Sequence, residues 1–176
     1  MARTSLVRCT RTVRYGVLLG IAGGLAEIVW IAFYGALTGS DTADVARTIT
    51  AIVNLVSPSV AFTIAPIMYG ILVHMVAAVG LGIVLAFLWR SLAVHWRIDE
   101  YVFMLGALTI VWGINFHIVL PLISPAFSDL NRVFFELVPY QVSLMSKLLF
   151  GLAGAPILHF SANDWSTKTL VRVPGC

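Results

Sequence analysis

Four long apolar stretches of this sequence each carry one ionisable residue at nearly the same depth: Glu27, His74, His117 and Lys147. Ionisable groups are costly in the hydrocarbon core of a bilayer, so they rarely face lipid and often mark ion, proton or cofactor sites. One carboxylate and two imidazoles offer oxygen and nitrogen ligands to a transition metal, and two imidazoles on facing helices offer axial ligands to haem. A carboxylate and an ammonium form an ion pair.

The composition predicts an all-α, polytopic membrane protein. Of the 176 residues, 60% are hydrophobic and only 11% are charged, and the mean hydropathy is +0.96. Crossing about 30 Å of hydrocarbon takes roughly 20 residues, and apolar runs of this length lie near 15–38, 60–89, 101–123 and 138–160. We therefore predict four transmembrane helices in a bundle, with residues 1–176 forming a single integral membrane domain.

Two shorter amphipathic segments are predicted in the connections on the outer side, near residues 41–57 and 125–138. Their apolar residues recur at helical spacing, first as Val45, Ile49, Ile52 and Val56, then as Phe127, Leu130, Phe134 and Leu137. Charged residues occupy intervening positions of both segments. This pattern indicates two short interfacial helices that cover the outer end of the bundle.

The four ionisable residues share a depth and a type of helix face. Counting about 1.5 Å per residue places all four roughly 20–25 Å from the inner ends of their helices. Each also continues a row of small residues, the pattern that lets transmembrane helices pack closely. The rows are Gly16, Gly20 and Gly24 before Glu27; Gly70, Ala78 and Gly82 around His74; Gly106 and Gly113 before His117; and Ser143, Gly151 and Ala155 around Lys147. We therefore expect all four side chains to point between helices.

Three interpretations of these residues stay open at this point. In the first, Glu27, Lys147 and Asn115 form a structural polar cluster. In the second, His74 and His117 approach each other across the interface of the second and third helices and bind haem b. In the third, Glu27, His74 and His117 bind a transition metal such as zinc, iron or copper, although an ammonium at Lys147 would repel the cation.

The remaining signals narrow the class of function. The sequence has no H-E-x-x-H, G-x-S-x-G, Walker A or G-x-G-x-x-G motif, so it gives no indication of an enzyme. Its net charge of +3 comes from residues flanking the apolar runs, which argues against nucleic-acid binding. We consider three functions: a non-catalytic accessory or structural subunit of a larger membrane complex or a homo-oligomer, a haem or metal protein, and a small proton-linked transporter or envelope-stress protein.

Three stretches of the sequence resemble the small bacterial four-helix proteins of the YagU inner-membrane family. They read GILVHMVAAVGLGIVLAFLWR, GALTIVWGINFHIVLPLISPAF and SLMSKLLFGLAGAPIL. The positions that carry the resemblance are Gly70 and His74, then Gly106, Trp112, Leu120 and Pro121, then Phe150 and Gly151. Lys147 stands where the family pattern has a histidine. The resemblance implies a bacterial inner-membrane protein that is tied loosely to envelope or acid stress.

Basic residues predict the orientation, since they are enriched in cytoplasmic connections. One side carries Arg3, Arg8, Arg11, Arg14, Arg90, Arg97, Lys168 and Arg172, whereas the other carries Arg47 and Arg132. We therefore predict a multi-pass protein of the bacterial cytoplasmic membrane with both termini in the cytoplasm.

Cysteine labelling in intact cells tests this orientation. Cys9 and Cys176 both lie on the predicted cytoplasmic side, so a membrane-impermeant maleimide should label neither, whereas a permeant maleimide should reach them. Efficient labelling of either cysteine by the impermeant reagent would reverse the predicted topology.

Overall fold

Four long helices make up most of the structure. The computed structural model describes residues 2–39, 64–93, 98–119 and 138–166, together with the isolated positions 43, 45, 46 and 122. The helices are α1 (Ala2–Thr38), α2 (Ile64–Ala93), α3 (Glu100–Ile114), which continues into a π-helical turn (Asn115–Val119), and α4 (Tyr140–Ser166). No strand occurs in these ranges. The all-α prediction is confirmed for this part of the chain.

All four helices are long and apolar enough to cross a membrane. The candidate spans are Cys9–Thr38, Ile67–Leu92, Glu100–Val119 and Tyr140–Ser161. They agree with the four apolar runs of the sequence, although α1 begins well before the predicted residue 15 because its arginine-rich start is also helical. The predicted interfacial helices at 41–57 and 125–138 fall almost entirely outside the described residues.

The order of the helices in space differs from their order along the chain. The extensive interfaces join α1 to α2, α1 to α4, and α4 to α3. By contrast, α2 and α3 touch only slightly, at the end where the chain connects them and the rings of Trp89 and Phe103 lie 5.1 Å apart. The helices therefore follow the spatial order α2, α1, α4, α3, with α1 between α2 and α4.

Glycines bring α1 against the backbone of α2. A Cβ atom at Gly16 or Gly20 would collide with the main chain of α2 at Ile83 or Val79, and one at Gly82 would collide with the main chain of α1. Such close approach requires small residues at the contact, as in other packing of membrane helices. The G-x-x-x-G-x-x-x-G row of α1 thus sets its register on α2.

A neighbouring face of α1 packs on α4 through larger side chains. A Cβ at Gly23 would lie 2.5 Å from the ring of Phe150, which is fully buried. One turn further in, the fully buried side chain of Leu19 lies against Gly154. Here a glycine on each helix accommodates a large apolar side chain from the other, which makes the interface closely interdigitated.

Polar contacts at the helix ends reinforce this arrangement. Asp99 caps α3, since its carboxylate accepts hydrogen bonds from the backbone N–H groups of Tyr101 at 2.9 Å and Val102 at 3.3 Å. Between α1 and α2, Arg90 donates from Nη1 to the buried hydroxyl of Thr12 at 3.0 Å. These contacts lie at the same end of the helices as the contact between Trp89 and Phe103.

Substitutions of two glycines test the packing of α1 on α2. Gly20→Ala places a methyl group against the main chain of Val79, and overpacking of this kind costs about 1–3 kcal/mol. The matched control is Gly106→Ala on α3, because a Cβ at Gly106 meets nothing within 4 Å. Melting temperatures of the purified variants in mild detergent should fall for Gly20→Ala alone, and an equal loss in both would contradict the proposed register.

Candidate functional site: a buried carboxylate between three helices

Glu27 lies where the two packed faces of α1 meet. It follows Gly24, on the face toward α2, by three residues, and Gly23, on the face toward α4, by four. Residues three and four apart are neighbours on a helix surface, so the glutamate continues both faces. Its side chain therefore extends into the junction of α1, α2 and α4, where the residue is only 4% exposed.

The α4 side of this junction neutralises the carboxylate. Lys147 donates from Nζ to Glu27 Oε1 at 2.5 Å, which is a close, charge-assisted contact. The hydroxyl of Ser146 lies 3.4 Å from the same oxygen and 2.8 Å from the carbonyl of Ser143. Because a hydroxyl has one proton to donate, the shorter bond to Ser143 is the stronger one, and Ser146 adds a polar neighbour to the carboxylate.

The α2 side of the junction presents His74 to the other carboxylate oxygen. Its Nε2 atom lies 3.5 Å from Glu27 Oε2, within ion-pair distance but beyond the 2.7–3.2 Å range of a good N–H···O hydrogen bond. The nitrogen is buried and has no hydrogen-bond partner among the described residues. The backbone of Gly24 lies within reach of the same ring. Glu27 thus forms a close ion pair with α4 and a longer contact, without a hydrogen bond, with α2.

The charges of this site balance when the imidazole is neutral. Glu27 contributes one negative charge and Lys147 one positive charge, and an uncompensated charge in so apolar a place would be strongly unfavourable. The site is not sealed, since the side chains of His74 and Lys147 keep 24% and 21% of their exposure. The predicted polar cluster is therefore present for Glu27 and Lys147, with His74 as its third member.

A second polar contact lies one helical turn beyond the carboxylate, between the same two helices. Trp30 donates from Nε1 to the carbonyl oxygen of Val142 at 3.0 Å. Trp30 is three residues after Glu27 and Val142 is four before Ser146, so both contacts belong to one antiparallel register of α1 and α4. This hydrogen bond helps to fix the depth at which the ion pair forms.

His117 and Asn115 lie elsewhere in the structure. Both belong to the π-helical turn after α3, where His117 is exposed and its ring stands edge-on to Trp112 with centroids 6.2 Å apart. The backbone N–H of Asn115 bonds to the carbonyls of Trp112 and Val111. The expectation that His117 points between helices thus differs from the structure, because the row of Gly106 and Gly113 lies on the outward face of α3.

The candidate cofactor ligands are accordingly only partly assembled. Glu27 and His74 meet, but no group of three His, Cys, Asp or Glu side chains suited to a metal ion occurs within the described ranges. His74 and His117 lie on helices that are in contact mainly near Trp89, at the far end from both histidines. Binding of haem or a metal through these residues stays a prediction.

Two residues of the site were not predicted from the sequence. Ser146 was overlooked although it directly precedes Lys147, and Trp30 was overlooked although it lies one turn after Glu27 on the same face of α1. A polar side chain one turn from, or next to, an intramembrane charge is the signal that would have identified both.

Comparison with known proteins identifies no relative: no family model, no curated protein and no solved structure matches this chain. The interpretation of the site therefore depends on its geometry and chemistry.

A double-mutant cycle tests the ion pair. Glu27→Gln should destabilise the protein by about 3–5 kcal/mol, because it leaves the ammonium of Lys147 buried without a counter-ion. Lys147→Met should cost less, since His74 still faces the carboxylate. The double variant should recover much of the loss, as measured by unfolding in mild detergent. Strictly additive losses would show that the two residues do not interact.

Proposed function

We propose that the protein is a non-catalytic subunit of a membrane complex, and that it packs against a transmembrane helix of another membrane protein through the outward face of α3. The observation that carries this proposal is a row of small residues on α3 without a partner helix in the described part of the chain. Gly106, Thr109 and Gly113 follow one another at spacings of three and four. A Cβ at either glycine would meet nothing within 4 Å.

The contrast with α1 supports this interpretation. Its glycine row meets the backbone of α2, and Gly23 holds the ring of Phe150. The row on α3 has comparable spacing, but it lies between strongly exposed apolar residues, with Val102 and Ile110 each 64% exposed. Small-residue rows in membranes allow close approach of helices, so the face of α3 suits a further transmembrane helix.

His117 supports the same partner surface. His117 is exposed and follows Gly113, the last glycine of the row, by four residues. It lies seventeen residues after Glu100, or about 25 Å along a helix. That depth lies in the outer part of a hydrocarbon core of about 30 Å, where an imidazole facing lipid is unfavourable. A polar group or backbone carbonyl on a partner helix would satisfy it.

The buried polar cluster fits a structural role. The ion pair joins α1 to α4, and α4 in turn carries α3, so Glu27 and Lys147 help to hold the proposed partner surface in place. We further propose a bacterial cytoplasmic membrane with both termini inside, on the strength of the basic residues and of the resemblance to the YagU family.

Site-specific photocrosslinking tests the partner. A photoreactive amino acid replaces Ile110 on α3, and the matched control replaces Val76 on α2, which is 65% exposed. In native membranes the Ile110 probe should yield one discrete adduct, and mass spectrometry should map it to a membrane-spanning peptide of a different protein. The Val76 probe should yield no such adduct.

Larger side chains at the glycines of the α3 row provide the specificity control. Gly106→Leu and Gly113→Leu, each combined with the Ile110 probe, should abolish the adduct, because the larger side chains keep the partner helix away. An adduct of twice the 19.1 kDa chain mass would show a homo-oligomer instead. Crosslinking that persists unchanged in both leucine variants, or that is absent at Ile110, would contradict the proposal.

A further inference from the structure

We infer that the junction of α1, α2 and α4 is a proton-binding site in which His74 takes up the proton and Glu27 then shares its charge between His74 and Lys147. This inference is independent of the proposed partner of α3. It rests on the contacts of one carboxylate with two helices.

The two oxygens of Glu27 face different helices. Oε1 accepts from the ammonium of Lys147 on α4 at 2.5 Å, whereas Oε2 faces Nε2 of His74 on α2 at 3.5 Å. A carboxylate has lone pairs on both oxygens and can accept from two cations at once. Oε1 therefore accepts a hydrogen bond from Lys147, whereas Oε2 faces the Nε2 atom of His74 without a hydrogen bond between them.

The unpartnered nitrogen is the feature that calls for a ligand. Buried polar atoms without a hydrogen bond are uncommon in native structures and require an explanation. If Nε2 of His74 carries no proton, its lone pair faces a carboxylate oxygen, and neither atom can donate. If it carries one, it can donate to Oε2, and a charge-assisted bond would shorten the contact to about 2.7–2.9 Å. Proton uptake resolves the mismatch.

The charged groups around His74 determine how its protonation changes the net charge of the site. Among the described residues, the charged groups that face His74 are Glu27 on α1 and Lys147 on α4, and the neighbouring residues of α2 along the row, Gly70 and Ala78, are not ionisable. With neutral His74 the three side chains sum to zero, and one proton raises the sum to +1, a buried charge whose cost the contact with Glu27 offsets only in part. Nε2 itself is buried, whereas other parts of the His74 and Lys147 side chains are exposed at the edge of the junction.

Proton uptake has a mechanical consequence for the helices. The imidazolium draws Glu27 toward α2, so Lys147 must share a carboxylate that it otherwise holds alone. Because α1 lies between α2 and α4, a change in one contact of Glu27 alters the other. The site thus couples the α1/α2 and α1/α4 interfaces to pH.

A substitution of Lys147 isolates the role of His74. In Lys147→Met the carboxylate has lost its permanent cation, and protonated His74 is the group left to neutralise it. The combination Lys147→Met with His74→Gln should therefore lower the melting temperature by about 5 °C more than the sum of the single changes, which corresponds to a coupling of about 1–2.5 kcal/mol in a chain of this size. The matched control combines Lys147→Met with His117→Gln and should be additive. Additivity in both combinations would overturn the inference.

Nitrogen NMR of histidine-labelled protein in detergent measures the proton directly. The signal that disappears in His74→Gln identifies His74, and its Nε2 shift should report one protonation between about pH 4 and pH 9. The midpoint should move in opposite directions in Glu27→Gln and Lys147→Met, since a carboxylate and an ammonium act on an imidazolium with opposite sign. If Glu27→Gln does not fold, Lys147→Met alone serves, because loss of the neighbouring ammonium should by itself move the midpoint. A signal that does not titrate, or a midpoint that no variant moves, would exclude the site.

Discussion

The burial of one carboxylate constrains the rest of this structure. Glu27 is almost fully enclosed in a chain that is 60% hydrophobic, and an isolated negative charge there would be far too costly to retain. It therefore needs a cation at the same depth. Lys147 supplies it from α4, while His74 faces it from α2. Helices α1 and α4 must meet at this level for the carboxylate to be tolerated, and α2 completes its enclosure.

The glycines of α1 make that meeting possible. Gly20 allows the backbone of α2 to approach, and Gly23 leaves room for the ring of Phe150 on α4. Because Glu27 follows both faces of α1, it is directed toward two helices at once. Apolar packing positions the helices, and the ion pair and the hydrogen bond from Trp30 to Val142 join α1 and α4 in that same register.

The two glycine-bearing faces of the chain have different environments. On α1 the row is covered by α2, whereas a Cβ at Gly106 or Gly113 of α3 would meet nothing within 4 Å in the described part of the chain. The same pattern in the sequence thus packs against a neighbouring helix in α1 but not, among the described residues, in α3. The internal ion pair joins α1 to α4, and α4 packs against α3. We propose that the other face of α3 contacts a partner protein.

The sequence by itself determined the helical class, the four apolar spans and the residues at the polar level, because hydrophobic length and the rarity of intramembrane charge are local properties of the chain. It also predicted that Glu27 and Lys147 could pair. What it could not decide was which helices are neighbours: a small-residue row looks the same whether it meets a helix or faces outward. Only the tertiary structure placed α1 between α2 and α4, joining His74 to Glu27 and leaving His117 on the outward side of α3. The reason is that helix order depends on the complementary shapes of whole faces, such as Gly23 against Phe150, which no single segment contains.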